Sequence, residues 1–392
     1  MDERYRSEAC MPQDVGSALL IGRVWEPGIG PTLAQIRPDG AYDLTPLAAT
    51  CSALLDLPQP AAAVRNAKAL RCIASLDALL RNSEEAARDT ALPWLLAPCD
   101  LQAIKASGVT FVSSMLERVI EEQARGDASR AEEVRRAIAA VIGDDLSRVV
   151  PGSEDAARLK EVLIERGAWS QYLEVGIGPD AEIFTKAQPM SAVGLGSEIG
   201  LHPKSDWNNP EPEIVLAVNS RGETVGATLG NDVNLRDFEG RSALLLGKSK
   251  DNNASCAIGP FIRLFDEGYT IDHVRRCNLD MRIEGPEGFV LTGSSPMSQI
   301  SRDPLDLVAH AMGPNHQYPD GMLLFLGTMF SPTEDRFAPG QGFTHEVGDI
   351  VRISTPGLGT LVNRVNRSDR IAPWTFGAGA LMRNLAQRGL LA

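Results

Sequence analysis

The stretch Glu211-Pro-Glu-Ile-Val-Leu-Ala-Val218, followed by Asn219-Ser-Arg-Gly-Glu223, carries the clearest structural pattern in this chain. An apolar run that ends at a Gly-containing turn is typical of a buried β-strand that enters a hairpin. Glu211 and Glu213 are two residues apart on an extended chain, so their side chains leave the same face, about 7 Å apart at Cα. If the chain turns back at this point, the returning strand brings Asp232 to the same end.

Three carboxylates that converge on one point suggest a metal site. They repel one another unless a cation lies between them, and ligation by oxygen alone suits Mg²⁺, Ca²⁺ or Mn²⁺ better than Zn²⁺. The spacing also allows a simpler interpretation, in which Glu211, Glu213 and Asp232 are three solvated charges beside turns. The spacing by itself leaves both interpretations open.

The sequence on both sides of this hairpin is rich in short strands. After residue 171 most runs are short, apolar and bounded by Gly, Pro, Asn or Asp, with one clear helix at 303–312. Strands do not alternate with helices, which excludes a Rossmann fold or a TIM barrel, and the predicted class is α+β. The predicted strands are EIFTK, IVLAV, VGATL, CNLDMRI, GFVLTG, GMLLFLGT, DIVRIS and GTLVNRV.

Composition shifts divide the chain into two parts. Residues 1–98 contain short strands and then Ala- and Leu-rich helices, and they end at a stretch bounded by prolines, so they are predicted to form a smaller α+β domain. Residues 99–392 form the predicted catalytic β-roll domain. Two charged amphipathic helices within it are predicted as an insert at about 115–168, and the second of them carries Val134, Ile138 and Val141.

Charge and cysteine usage limit the partners and the compartment. The 392 residues carry a net charge of −13 and no run of five or more Lys or Arg, which argues against a nucleic-acid binder. The sequence has no run of 18 apolar residues, so no membrane span is expected. The charged N-terminal stretch does not resemble a secretory signal. The six scattered cysteines are typical of reduced thiols, so we expect a cytoplasmic protein.

An ordered set of motifs over about residues 100–375 resembles the fumarylacetoacetate hydrolase superfamily. The motifs are Glu211-x-Glu213, Asn231-Asp-Val-x-x-Arg-Asp237, Gly247-Lys-Ser-x-Asp251, Gly259-Pro260, Leu326-Gly-Thr328 and Gly357-Leu-Gly-Thr-Leu-Val-Asn363. The resemblance implies a mixed β-sandwich roll and a homodimer or homotetramer. It also implies Mg²⁺ or Mn²⁺ bound by Glu211, Glu213 and Asp232, with a small 2-oxo acid as the substrate.

The resemblance extends to residues around the metal. Lys248 would neutralise enolate charge or move a proton, although it could also be a surface lysine. Arg236 and Asp237 match an Arg-Asp pair that would bind the substrate, or that would form a structural ion pair. Thr328 and Lys186 would contact the substrate, the alternative for Thr328 being an ordinary residue at a strand end.

One departure from the family pattern bears on the reaction. Where many hydrolases of the superfamily have Gly-x-Asn-Tyr-x-x-His-x-x-Glu, this chain has Gly108-Val-Thr-Phe-Val-Ser-Ser-Met-Leu-Glu117. Ser114 replaces the histidine, and a serine is no general base near pH 7. The run resembles the branch that dehydrates 2-keto-3-deoxy sugar acids, with Ser114 at the substrate. Glu117 would pair with Lys248 as acid and base, or be an ordinary carboxylate at a helix start.

These resemblances lead to a functional hypothesis. We expect a metal-dependent lyase that converts 2-keto-3-deoxy-D-pentonate into 2-oxoglutarate semialdehyde through a metal-stabilised enolate. A hydrolase that cleaves the carbon–carbon bond of a 2,4-diketo acid is the alternative within the superfamily. A relative that only binds an acid or oligomerises is the third possibility, against which the joint presence of Glu211, Glu213, Asp232 and Lys248 argues.

Overall fold

The computed structural model describes residues 2–125, 127, 129–131, 133, 149–165, 167, 169–330, 332–338 and 342–391. Within them the chain builds two mixed sheets of eleven and five strands, with a two-stranded ribbon beside them. The strands are β1 (Leu20–Glu26), β2 (Gly30–Arg37), β3 (Gly40–Asp43), β4 (Cys72–Ser75), β5 (Trp94–Leu96), β6 (Ala103–Ser107), β7 (Ile183–Ala187), β8 (Glu198–Leu201), β9 (Asn208–Asn209), β10 (Pro212–Val218), β11 (Thr224–Asp232), β12 (Asn234–Leu235), β13 (Cys256–Leu264), β14 (Asn278–Glu284), β15 (Val290–Pro296), β16 (Met322–Phe325), β17 (Ile350–Thr355) and β18 (Gly359–Arg367).

Helices connect these strands and flank them along the sequence. Among the described residues, none of them is both long and apolar enough to cross a membrane. The helices span Ser7–Cys10, Cys51–Leu55, Pro60–Asn66, Leu76–Asn82, Val112–Ala124, Glu154–Glu165, Gln171–Ile177, Arg236–Glu239, Leu246–Lys250, Ile271–Arg276, Pro304–Ala311 and Ala378–Gln387, and single 3₁₀ turns span Glu3–Tyr5, Glu85–Ala87, Ala243–Leu245 and Met297–Gln299.

The larger sheet runs in the order β4-β3-β2-β1-β13-β11-β10-β16-β6-β7, and β5 adds to β1. Its neighbours are antiparallel except for β16 and β6, which are parallel. The smaller sheet runs β15-β14-β17-β18-β8 and ends in one parallel pair. Strand β10 is buried along its whole length, and its alternate residues enter two different core clusters. A strand that is buried on both faces has apolar side chains at successive positions, which explains the Ile-Val-Leu-Ala-Val sequence.

Every predicted strand after residue 171 overlaps a strand of the structure, which confirms the α+β class. The predicted helix at 303–312 is present as Pro304–Ala311, but the expectation of one clear helix in this part is wrong because Ala378–Gln387 forms another. Strand β13 was not predicted. Its Pro260 lacks an N–H and argues against a central strand, but the β11–β13 ladder is interrupted beside it, at Leu229 and Gly259.

The N-terminal residues share a sheet with the rest of the chain. Strand β1 pairs with β13, so β1 to β5 extend the larger sheet, while the boundary near residue 98 stays a prediction. The predicted insert at about 115–168 overlaps the helix Val112–Ala124 and contains the helix Glu154–Glu165. The predicted helix with Val134, Ile138 and Val141 lies outside the described residues.

The sheet order brings distant segments of the chain to one place. Glu213 on β10 pairs with Gly230 on β11, and Asp232 pairs with Cys256 on β13. Lys186 lies on β7, the last strand of the same sheet. The hairpin therefore carries Asp232 back to the two glutamates, and residues from several strand ends meet there.

Candidate metal centre and active site

Three carboxylates form the centre of the site. One oxygen from each of Glu211, Glu213 and Asp232 lies within 4.8 Å of the others, and all three residues are buried. Glu213 and Asp232 come from paired strands, and Glu211 immediately precedes β10. The Gly327 backbone N–H donates a 2.7 Å hydrogen bond to Glu213 Oε2. The strand pairing and this bond fix the positions of the carboxylates.

Three cationic side chains face the carboxylates. Lys186 Nζ lies 2.7 Å from Asp232 Oδ1, and Lys250 Nζ lies 3.2 Å from Asp232 Oδ2. Lys250 also forms an ion pair with Glu211, and so does Arg118 of the helix Val112–Ala124. Burial of charges is costly unless they are paired, and these contacts supply the pairing.

The two innermost carboxyl groups differ in acidity. Burial raises the pKa of Glu213 well above its ordinary value, and the neighbouring charge of Asp232 raises it further. Burial also opposes ionisation of Asp232, but the charges of Lys186 and Lys250 outweigh it and lower the pKa of Asp232. In this arrangement Asp232 is the carboxylate and Glu213 is the carboxyl group that holds its proton more tightly.

A second layer of charges holds Arg118 in place. Its guanidinium donates to Glu121 at 2.6 Å and lies 3.1 Å from an oxygen of Glu239. Glu121 in turn lies 3.1 Å from Arg236 Nε, which donates to Asn209 at 2.9 Å. The helix Val112–Ala124 is thus tied to the carboxylate centre through a chain of buried ion pairs.

Glu182 is a carboxylic acid on the pocket wall that has a different environment from the three central carboxylates. It is partly buried, and its carboxyl group has no hydrogen bond or ion pair among the described residues. Burial, together with the charge of Glu239, raises the pKa of Glu182 to about 7. Space for this side chain depends on Gly108, where a Cβ atom would overlap the Glu182 carboxyl group. Glu182 can therefore exchange a proton near neutral pH.

The pocket around these groups is small and polar, and its donors suit a hard cation. The three central carboxylates offer only oxygen ligands, as Mg²⁺ and Mn²⁺ prefer. Ser107 Oγ is buried on the pocket wall without a hydrogen-bond partner among the described residues. The lining residues are Ser107, Gly108, Val109, Arg118, Tyr172, Glu182, Phe184, Glu211, Glu213, Asp232, Glu239, Lys250 and Thr328.

Residues 167–366, about half of the chain, match the model of the fumarylacetoacetate (FAA) hydrolase C-terminal family. The chain belongs to this family. Over 190 residues it is 32% identical to 2-dehydro-3-deoxy-D-arabinonate dehydratase of Saccharolobus solfataricus, which covers 48% of this chain and 60% of that protein. Over 194 residues it is 31% identical to the probable 2-keto-3-deoxyxylonate dehydratase of Haloferax volcanii, which covers 50% of this chain and 63% of that protein. The chain thus spans less than two thirds of the length of these relatives.

Solved structures support the fold assignment. A 2-keto-3-deoxy-D-arabinonate dehydratase complexed with magnesium and 2,5-dioxopentanoate superposes with a TM-score of 0.59 at 21% identity, covering 89% of this chain and 99% of that one. The likeness confirms the predicted FAA-hydrolase-like β-sandwich roll.

In this FAA hydrolase family member, Lys248 and Lys250 have different environments, which the sequence alone does not reveal. Lys250 is buried against Glu211 and Asp232, whereas Lys248 is exposed and lies over the Phe238 ring at 5.5 Å. The two are two positions apart on the helix Leu246–Lys250, and a rotation of about 200° puts them on opposite sides. The structure therefore does not bring Lys248 to the carboxylates, and Lys250 lies where Lys248 was expected.

Of the other residues expected at the site, some lie at the carboxylates or on the pocket wall and others do not. Lys186 is at the centre, and Thr328 lines the pocket. Arg236 is buried behind it with Glu121, and it does not line the pocket. Asp237 accepts hydrogen bonds from Ser205 Oγ and the Asp206 N–H, so it stabilises a loop and does not pair with Arg236.

Two expectations concern the helix Val112–Ala124. Glu117 is partly exposed and is absent from the pocket lining, where the helix contributes Arg118. The side chain of Ser114 lies outside the described residues, so its expected contact with a substrate stays a prediction.

The sequence did not predict four of the residues that line the pocket, which are Arg118, Tyr172, Glu182 and Lys250. The second lysine of Lys248-Ser-Lys250 was a visible signal for Lys250, whereas the other three lie in runs that look like ordinary helix or strand.

Proposed function

We propose that the chain is a metal-dependent dehydratase of a 2-keto-3-deoxy sugar acid. The proposed substrate is 2-keto-3-deoxy-D-pentonate, and the proposed product is 2-oxoglutarate semialdehyde. The observation that carries this proposal is that a buried three-carboxylate centre shares one small pocket with Glu182, whose pKa is raised to about 7 by burial and by Glu239. The names of the two dehydratases that the chain resembles favour the same reaction.

Glu211, Glu213 and Asp232 would hold Mg²⁺ or Mn²⁺. When bound, such a cation supplies positive charge that polarises the 2-keto group and makes the C3 protons more acidic. Lys186 and Lys250 keep Asp232 ionised and in place, so a ligand oxygen is ready at this position. The cation and these lysines together would attract the anionic substrate.

Glu182 would move the proton of the dehydration. In its ionised form it would accept a proton from C3 as the C3–H bond breaks, and in its protonated form it would give that proton to the departing C4 hydroxyl. The C4–O bond breaks, water leaves, and a C3=C4 double bond forms. A proton then moves from C5 to C3, which leaves a C4=C5 enol, and a second proton moves from the C5 hydroxyl to C4, so that C5 becomes an aldehyde and all five carbons are retained.

The remaining polar groups of the pocket would orient the substrate. Tyr172 and Thr328 line the pocket next to the carboxylates, and each carries a hydroxyl suited to a sugar-acid oxygen. The Lys250 ammonium, anchored by Glu211 and Asp232, would donate to an oxygen on which negative charge develops. A hydrogen bond from a fixed donor is most useful where charge appears during the reaction.

The surroundings of the pocket favour dehydration over hydrolysis. Cleavage of a 2,4-diketo acid needs a base that activates water, and histidine is the usual choice near neutral pH. All five histidines belong to the described part of the chain, and none of them lines the pocket. Dehydration breaks the C3–H and C4–O bonds and needs proton transfers between substrate atoms but no activated water, and Glu182 would carry such a proton.

The decisive experiment follows the products by mass spectrometry. The purified protein would be incubated with Mg²⁺ and 2-keto-3-deoxy-D-pentonate, and separately with a 2,4-diketo acid. We expect a product one water lighter than the pentonate with all five carbons, absent after EDTA treatment and in Glu213→Ala. An unchanged pentonate together with two fragments from the diketo acid would overturn the proposal in favour of the hydrolase.

A further inference from the structure

A second cavity of about 220 Å³ lies apart from the carboxylate pocket and shares no lining residue with it. Its wall contains the aromatic rings of Trp25, Trp94, Trp374 and Phe376. The chain has only five tryptophans, and three of them are here. Neither the metal centre nor the dehydration uses any of these residues.

Three of these rings contact one another, one pair stacked and one pair edge-on. Trp25 and Trp94 lie 5.8 Å apart with an interplanar angle of 23°, and Phe376 meets Trp25 edge-on at 5.3 Å. The Arg88 guanidinium lies over the Trp94 ring at 5.1 Å. Trp374 is 46% exposed, and its Nε1 donates to the Phe376 carbonyl at 3.0 Å. The wall therefore offers aromatic faces and edges, and Trp374 is partly open to solvent.

Arg88 provides a positive charge at this wall. Its guanidinium donates to the Ser83 and Asn82 carbonyl oxygens at 2.8 and 3.4 Å, and it forms no salt bridge with a carboxylate of the described residues. Burial lowers the pKa of Arg88, so an anion in contact with it would relieve an unfavourable charge. Glu85 also lines the cavity and its charge raises the pKa of Arg88, but it forms no ion pair with the guanidinium, and its carboxylate accepts the Glu198 N–H at 2.9 Å. An arginine without a carboxylate partner suits a bound carboxylate.

Two wall residues have strained backbones. Met190 and Ala254 have φ angles of 71° and 59°, in the left-handed region that side-chain-bearing residues rarely adopt. Such a conformation costs about 1–3 kcal/mol and is often found at ligand sites. Met190 follows Lys186 by four residues, and Ala254 follows Lys250 by four. The same short segments therefore supply the two lysines that pair with Asp232 and part of the wall of this cavity.

We propose that this cavity binds a small aromatic carboxylate, with its ring against the tryptophans and its carboxylate on Arg88. The volume is below the range of about 300–1,000 Å³ that is typical of pockets for drug-sized ligands, so a single ring is the appropriate size. The aromatic wall selects a planar ring, and the guanidinium selects against a cation. The proposal is independent of the reaction proposed for the carboxylate pocket.

Benzoate is a suitable probe, and benzamide is its uncharged control of the same shape. Binding would be followed by intrinsic tryptophan fluorescence and by calorimetry on the full chain. We expect saturable binding of benzoate that is weakened about tenfold or more by Arg88→Gln, because a hydrogen bond to a charged group is lost. Arg158→Gln, an exposed arginine on the helix Glu154–Glu165, should bind benzoate like the unmodified protein.

Hydrogen–deuterium exchange would locate the bound probe. We expect benzoate to protect residues 188–197 and 251–256, and Trp374→Leu, at a half-exposed position, to reduce binding if Arg88→Gln does not fold. Equal affinity for benzamide, unchanged binding in both variants or protection elsewhere would overturn the proposal. Absence of benzoate binding would also overturn it, and a change of oligomeric state in Trp374→Leu would then identify this surface as an interface between copies.

Discussion

Lys186 and Asp232 form an ion pair between β7 and β11, with 2.7 Å between Nζ and Oδ1 and neither side chain exposed to solvent. Lys186→Met would remove one of the two cations that face the buried Asp232 carboxylate and leave it only the Lys250 ammonium at 3.2 Å. Because Lys250 still faces Asp232, we expect Lys186→Met to lower the free energy of unfolding by about 3 kcal/mol in a urea titration, the lower end of the cost of a broken buried ion pair. The exposed Lys68→Met serves as the control and should change it by less than about 0.5 kcal/mol. Equal effects of the two substitutions would contradict a structural role for this pair.

The two lysines of the helix Leu246–Lys250 give a matched test of the active site. Lys250→Met should lower kcat/KM for the pentonate by about a hundredfold or more, because it removes a fixed donor beside the carboxylates. Lys248→Met changes an exposed side chain and should alter kcat/KM by no more than about twofold. Steady-state kinetics of both variants would settle the assignment, and loss of activity in Lys248→Met alone would reverse it.

The acidity of Glu182 predicts a pH dependence of activity. Burial and the nearby Glu239 raise the pKa of Glu182 to about 7 in the metal-free protein, and a bound cation would lower it. Because the ionised form accepts the C3 proton, kcat/KM should rise with pH through one ionisation at or below neutral pH. Glu182→Gln should abolish dehydration, whereas Glu117→Gln should keep both the activity and its pH profile. A profile with the same midpoint in Glu182→Gln would show that another group titrates.

The same carboxyl group affects stability. The pKa of Glu182 is raised from 4.5 to about 7 by burial and by Glu239, so between these values the folded protein binds more protons than the unfolded chain. This group therefore makes the free energy of unfolding fall as the pH rises from about 4.5 to about 7. Urea titrations across this interval should show a smaller decrease for Glu182→Gln than for Glu117→Gln. Parallel curves would argue against a raised pKa.

Gly108 keeps the space that Glu182 occupies. A Cβ atom at residue 108 would overlap the Glu182 carboxyl group, so Gly108→Ala should displace that group. A shift of about 1 Å in a reacting group can reduce a rate about a hundredfold, and we expect a loss of this order in kcat. Gly247→Ala adds a Cβ with no atom within 4 Å and should leave kcat unchanged. Similar kcat values for the two alanine variants would exclude this role for Gly108.

Binding of a cation at the carboxylate centre should stabilise the fold. At a Mg²⁺ concentration about 100 times its Kd, the free energy of unfolding should rise by about 2.7 kcal/mol. EDTA should remove this gain, and Asp232→Asn should be insensitive to both additions. Thermal unfolding with and without Mg²⁺ measures the effect, and an equal gain in Asp232→Asn would place the cation elsewhere.

Local patterns were sufficient for most of the fold. The run Ile214–Val218 and its turn predicted a hairpin, and the β10–β11 pairing has that arrangement. Strand β13 was not predicted because a proline such as Pro260 argues against a central strand. The proline is tolerated because the β11–β13 ladder is interrupted next to Gly259. Sequence shows the proline, whereas the interruption is a property of the assembled sheet.

The site was less predictable because its charges come from distant segments. The Glu-x-Glu spacing and the hairpin pointed to the three carboxylates, which the structure brings within 4.8 Å of one another. The choice between Lys248 and Lys250 depends on which side of a single helical turn faces the sheet, and five residues carry no periodicity that reveals it. Glu182 becomes unusual only through burial and through Glu239, which is 57 residues away in the sequence.

The pairing of β1 with β13 has a consequence for protein engineering. A shortened chain that begins at residue 99 would leave the backbone of β13 at Ile262 and Arg263 without its partner strand. Unpaired strand edges are templates for association between molecules, so such a fragment should aggregate during expression even though it retains Glu211, Glu213 and Asp232. We therefore expect the first 98 residues to protect this edge of β13 from association with other molecules.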